Sequence, residues 1–360
     1  MALRIALGQA ARATEEYLAF ARQLGVEGVQ FNTPELPGEE RWELGDLVVL
    51  RERVEAHGLR LEAIENLPHE FYEQAMLGEE GRDAEIENVC ATLRNLGRAG
   101  IPILGFHWLP TSVWRTGFAS RGRGGSVVSS FDLALAEDPS HAGELWIARR
   151  DKRVEDKKDS FSRGELFEVG VQRDDSEMWA AYEYFVDAVV PVAEEAGVQL
   201  ALHPDDPPVP SLGGVARIFR DVDALKRAAD HSPGPGFAID LCLGTVSEMG
   251  GEEAVLEAVR YLAPRRKIAY VHLRDVRGTV PSFVECFLGE GNYRPPVVLR
   301  ELAAHGFDGF ILDDHTPALV GDSPYGHRGR AFALGYIQGL IEMMRLDDAG
   351  GRLPAEAVPA

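Results

Sequence analysis

The sequence predicts an α/β protein, a (β/α)8 TIM barrel carrying one long insertion after its fourth strand. Three observations predict it. Short runs rich in Val, Ile and Leu alternate with amphipathic stretches at helical period, and eight such units fit within the 360 residues. The runs are apolar almost throughout, as strands of a parallel sheet covered on its outer face are. Four helical stretches end at a glycine just before the next strand, Gly25, Gly58, Gly100 and Gly197, where a left-handed cap closes a helix. A doubly wound open sheet shares this local pattern. No GxGxxG or P-loop follows the first strand, which favours the closed barrel.

In chain order the strands read LRIALGQ, VEGVQFN, LRLEAIEN, IPILGFHWLP, VQLALHP, GFAIDLC, KIAYVHLRDV and DGFILDDH. The helices that follow them read TEEYLAFARQLG, LVVLRERVEAHG, AEIENVCATLRNLGRAG, AAYEYFVDAVVPVAEEAG, ARIFRDVDALKRAAD, AVLEAVRYLA, VVLRELAAHG and AFALGYIQGLIEMM. One interval breaks the rhythm. Residues 111–177 hold RGRGGS, the mixed-charge run ARRDKRVEDKKD and no sustained period. Because this insertion follows the fourth strand it is expected to rise from the C-terminal face, either as a lid or subunit-contact arm or as a disordered insertion. Residues 1–345 then form a single domain around it, and 346–360 a frayed tail.

Composition narrows the function. Lys and Arg number 37 against 58 Asp and Glu, a net charge of −21, which argues against nucleic acid or an anionic membrane surface as partner. No run of about 18 uninterrupted apolar residues occurs, nor a basic segment leading into one. Cys90, Cys242 and Cys286 are too few and too far apart for a disulfide framework. A cytoplasmic address is therefore expected. Cys90 in a helix and Cys286 beyond the seventh strand read as structural; His57, His231 and His305 fall near helix ends, and His141 reads as surface.

In such a barrel the strand C-termini and the loops after them build the site. The fifth strand ends in His203, the sixth in Cys242, the seventh carries His272, and the eighth ends in Asp313, Asp314 and His315. Two imidazoles, a thiolate and a carboxylate from four consecutive strand ends can converge on one divalent ion. Thiolate and imidazole ligands favour Mn, Fe, Co, Ni or Zn over Mg or Ca. The two carboxylates after His203, Asp205 and Asp206, stand in a stretch with four prolines, HPDDPPVP, which exceeds what stopping a strand requires. Orienting ligands or substrate hydroxyls is one use for them, and capping the following helix is another.

ALHPDDPPVPSLGGVARIF, IDLCLGT, YVHLRDV and the strand-eight DDH together resemble the mannonate dehydratase family, whose barrel is similar to those of the xylose isomerases. The likeness extends more weakly to IEN at 64–66, RDAEIENVCATLRNLGRAGI and FHWLPTSVWRT. It implies a divalent ion, usually Mn or Fe, held by His203, Cys242, His272 and Asp314, with His315 and Tyr325 carrying proton transfers. The implied reaction removes water from mannonate or a related sugar acid to give a 2-keto-3-deoxy acid. A base near pKa 7 must take a weakly acidic proton at C2, which suits His315, and an acid must assist the leaving hydroxyl, which suits Tyr325. The family's strand-eight motif carries arginines on both sides of its Asp-His pair, whereas this chain has Leu312 and Pro317 there. Arginine is the natural partner of a sugar-acid carboxylate, so Arg115, Arg274, Arg328 or Arg330 is expected to replace them. His107 stands where the family tends to have an asparagine and joins Asp205, Asp206, Arg115 and Arg274 as a substrate-binding candidate. The alternative is a sugar isomerase or epimerase on the same metal barrel. Either reading takes a small-molecule substrate, and the inserted arm suits a homo-oligomer.

Overall fold

Eight strands close into one parallel barrel, β1 (Arg4–Ala10), β2 (Gly28–Asn32), β3 (Arg60–Glu65), β4 (Ile103–His107), β5 (Gln199–His203), β6 (Phe237–Cys242), β7 (Ile268–Leu273) and β8 (Phe310–Asp313). Seven lie within the runs read from the sequence, and β1 extends one residue past its run, to Ala10. The computed structural model describes residues 3–148, 161–163 and 171–348. Around the barrel run α1 (Glu15–Gln23), α2 (Leu44–Glu55), α3 (Arg82–Ala99), α4 (Asp175–Ala196), α5 (Val222–His231), α6 (Leu243–Leu262), α7 (Pro295–Ala304) and α8 (His327–Asp348). Gly25, Gly58, Gly100 and Gly197 take φ of 70°, 68°, 74° and 69°, the left-handed turn that lets the chain leave a helix and re-enter the sheet.

The two-residue period of a strand sorts its side chains. Leu200, Leu202, Ile239, Leu241, Val271, Leu273 and Ile311 join the large core under the helices. Ala6, Ala63, Ala201, Ala238, Tyr270, Phe310 and Leu312 pack together as a separate cluster, the floor of the barrel interior. One step further along each inward row come the polar groups His203, Asp240, Cys242, His272 and Asp314. Register then aligns them, with His203 opposite His107 and Cys242 opposite His272.

The described part of the insertion mixes short strands with short helical turns. Gly117–Arg121 and Val127–Asp132 pair antiparallel, with RGRGGS lying in their turn, and Val127–Asp132 also pairs with Ser282–Cys286 from the segment after β7. Ser282–Cys286 pairs in turn with Asp275–Arg277. Strands this short, borrowing partners from a distant segment, leave no period in the sequence. A small core of Trp114, Phe131, Val209, Val276 and Phe283 fills the space beneath. The charge run past Ala148, residues 164–170 of the insertion and the tail at 349–360 lie outside the described residues, and α8 continues three residues past Arg345. The fifth helix begins later than its sequence pattern, because Ser211–Leu212 and Val215–Ala216 form a small hairpin first. No helix among the described residues is long and apolar enough to cross a membrane.

Candidate metal centre

His203, Cys242 and His272 are buried at the ends of β5, β6 and β7, and one ligand atom from each lies within 4.8 Å of the other two. Asp314 sits just past β8. Its Oδ2 is 3.8 Å from Cys242 Sγ and 4.0 Å from His272 Nδ1. All four expected ligands therefore occupy one rim, the first three as a tight trio and Asp314 against two of them.

Neighbours fix how each ring is turned. His203 Nδ1 is 2.7 Å from the Pro204 carbonyl. A carbonyl only accepts, so that nitrogen carries the proton and Nε2 is left to bind. His203 stacks at 4.3 Å on His107. His272 Nε2 faces Glu65 Oε2 at 3.2 Å and Asp240 Oδ1 at 3.7 Å, the carboxylate-on-imidazole arrangement that leaves the other ring nitrogen for an ion.

Charge within the cluster is strongly coupled. Burial pushes the Cys242 thiol up, but Arg274 and hydrogen bonds from His203 and His272 outweigh it and carry the thiol well below its ordinary range. Burial pulls His203 down, yet Asp240 and Cys242 hold it up at about 9. Asp314 is raised by burial and lowered more by His315, His272 and Arg274, ending below the ordinary carboxylate range. The donors thus form a thiolate, a carboxylate and imidazoles carrying protons that a divalent ion would displace on binding. Sulfur, two nitrogens and one oxygen suit a transition metal.

Beside the trio lies a buried network of opposite charges. Arg115 grips Asp206 through two bonds, Nη1 to Oδ1 at 2.7 Å and Nη2 to Oδ2 at 2.8 Å. Arg274 donates to Asp206 Oδ2 at 3.0 Å and to Glu285 Oε1 at 2.9 Å, and its Nε is 3.2 Å from Asp314 Oδ2. Arg115, Arg274 and Asp206, expected to face substrate, here engage one another. Asp205 accepts from the Phe219 amide at 2.9 Å, and burial raises it to about 7 against the pull of Arg217. Neither aspartate caps α5, the role weighed against a site; Asp221 does, accepting from Ala224 N at 2.8 Å.

His315 is half-buried, with Nδ1 2.7 Å from Glu285 Oε1 and Nε2 3.8 Å from Asp314 Oδ1. Tyr325 donates to the Gly8 carbonyl at 2.6 Å and meets Tyr17 edge-on. Of the remaining arginines, Arg330 is paired with Asp313 at 2.5 Å and donates to the Asp314 carbonyl, while exposed Arg328 donates to the Val320 carbonyl. Leu312 packs among the floor residues and so close to Gly8 that a Cβ there would meet its Cδ1 at 2.3 Å.

Glu65, Asp240 and Glu285 were missed by sequence reasoning. The available signal was a single acid in an otherwise apolar run, as in FAIDLC and SFVECF, where burial demands a partner.

The sequence profile described as D-mannonate dehydratase (UxuA) matches residues 4–348. A mannonate dehydratase of Thermotoga neapolitana is 31% identical over 336 residues, covering 88% of this chain and 91% of that protein. The crystal structure of mannonate dehydratase from Streptococcus suis serotype 2 superposes with a TM-score of 0.80 at 27% identity, covering 99% of this chain and 100% of that one. An L-ribulose 3-epimerase superposes at 0.59 with 15% identity, covering 99% and 100%; at that identity the likeness is one of fold alone.

Proposed function

The chain belongs to the D-mannonate dehydratase (UxuA) family, and from that premise we propose that it removes water from D-mannonate or a closely related sugar acid, giving a 2-keto-3-deoxy acid. The observation that carries the reading is the convergence of His203, Cys242 and His272 within 4.8 Å. With Asp314 as fourth ligand, these residues would hold a divalent ion, Mn or Fe, which would supply Lewis-acid stabilisation of developing negative charge. His315, beside Asp314 and outside the ligand set, takes the C2 proton. Tyr325 gives a proton to the departing hydroxyl; burial and Asp313 outweigh Arg330 and keep it well above its ordinary pKa, so it is protonated at neutral pH. Arg274 is the cation nearest the ligands and the strongest candidate to meet the substrate carboxylate, with Arg115 supporting it through Asp206. His107 and Asp205 border the substrate from the ends of β4 and β5. The arm at 111–177 serves as lid or subunit contact in a homo-oligomer, and the free thiols of Cys90, Cys242 and Cys286 suit a reducing cytoplasm.

The test is metal analysis. Protein reloaded with Mn is expected to hold one ion per chain, and the His203→Ala, Cys242→Ala double variant to hold none. A wild type well below one ion per chain, or a double variant that binds as the wild type does, would show the site to be misassigned.

A further inference from the structure

We propose that Glu285 is a positioning residue that fixes His315 with its proton on Nδ1, so that Nε2 is the nitrogen exchanging a proton with substrate. The proposal rests on the dehydration reading above. It starts from three contacts on one oxygen. Glu285 Oε1 lies 2.7 Å from His315 Nδ1, 2.9 Å from Arg274 Nη1 and 3.3 Å from Arg115 Nη2. Two fixed guanidinium charges on a buried carboxylate keep it ionised, and an ionised carboxylate can only accept. The His315 nitrogen facing it must therefore be the donor. The opposite nitrogen, Nε2, points toward Asp314, 3.8 Å from Oδ1, which is the side where substrate would meet the ligands.

Glu285 is itself held in place. Its strand, Ser282–Cys286, is the interior of a four-stranded sheet, between Asp275–Arg277 and Val127–Asp132. Phe283, two residues away, stacks on Phe131 at 5.7 Å. The inserted arm thus anchors the strand whose glutamate holds the base, and through Arg115 it also touches that glutamate directly. Precise placement of a proton-transfer group matters because small errors in its geometry are costly to rate. Removing the partner that orients such a group typically costs 10- to 100-fold.

The experiment is a double-mutant cycle on the full-length, Mn-loaded protein acting on D-mannonate, with metal content measured for each form. Glu285→Gln is expected to lower kcat about 10- to 100-fold, with one ion retained and KM changed less than about threefold. In a His315→Asn background the same change is expected to lower kcat by less than about twofold, because the group it acts through is gone. Equal losses in both backgrounds would overturn the proposal, as would a Glu285→Gln enzyme with normal kcat. A second measurement needs no variant at position 285 and no turnover. In the Zn-loaded protein labelled with 15N-histidine, the His315 signal, assigned by its loss in His315→Asn, is expected to show a protonated Nδ1 and an unprotonated Nε2 when the ring is neutral. The reverse tautomer would overturn the proposal and leave dehydration standing. The expected tautomer in a protein that does not dehydrate sugar acids would overturn the dehydration reading and support the placement of the ring.

Discussion

Asp206→Asn offers the sharpest test of the buried charge network. Asp206 is 3% exposed and accepts from Arg115 at 2.7 and 2.8 Å and from Arg274 at 3.0 Å. Burial raises this carboxyl, but Arg115 and Arg274 outweigh it and hold it below the ordinary carboxylate range. Substituting asparagine leaves the shape, removes the charge, and strands two guanidiniums against Glu285 and Asp314. Breaking a buried pair in this way costs about 3–5 kcal/mol. With an unfolding entropy of about 2.1 cal/mol/K per residue over 360 residues, that is a melting temperature about 4–7 °C lower. Calorimetry of metal-free protein at pH 7 would measure it without a contribution from ion binding. Because the folded pKa lies below the ordinary 3.8, the difference is full above about pH 4 and closes as pH falls through the folded value. Adding Arg115→Met removes one stranded cation and is expected to recover part of the loss. A melting temperature within about 1 °C of wild type would refute the reasoning, since it would mean these charges are not felt as buried.

Other outcomes follow from the same structure. His315→Asn is expected to keep one metal ion and lose about 10²- to 10⁴-fold in kcat; normal turnover would make His315 a bystander. Glu85, at the start of α3, accepts from Ala75 N at 2.8 Å, and burial raises it from 4.5 to about 7. The folded state therefore binds more protons between those values, so stability falls as pH rises from about 4.5 to 7. Because Glu85 is only partly buried, solvent screening reduces the full linkage value, and Glu85→Gln is expected to be more stable than wild type by about 1–2 kcal/mol at pH 8 and no more stable at pH 4, read by urea melts; an equal difference at both would refute the burial argument. With Leu312 and Pro317 in place of the family's arginines, mannonate is expected to be processed slowly unless Arg274 takes over the carboxylate contact, a lost charge-assisted bond costing roughly 10- to 150-fold. A kcat/KM of about 10⁴ M⁻¹s⁻¹ or more would show the substitution to be harmless.

What the sequence made legible were features that repeat or that sit at a fixed place in a repeat. All eight strands and the glycines closing the helices follow from local period and backbone freedom. His203, Cys242, His272 and Asp314 follow because a parallel barrel puts every strand end on one rim. The inserted arm was not legible, since Val127–Asp132 becomes a strand by pairing with Ser282–Cys286 far along the chain. For the same reason Glu285 stayed hidden behind His315, and the sequence did not show that Arg115 and Arg274 share the buried carboxylates of Asp206 and Glu285. Pairing among polar side chains is decided by tertiary contact, and a single sequence shows only that a buried charge needs some partner.

The most direct test of the account is the mass of the product. Mn-loaded protein incubated with D-mannonate is expected to release a 2-keto-3-deoxy acid lighter by one water, with the activity lost in the His203→Ala, Cys242→Ala double variant. A product of unchanged mass, or turnover that survives loss of those two ligands, would contradict it.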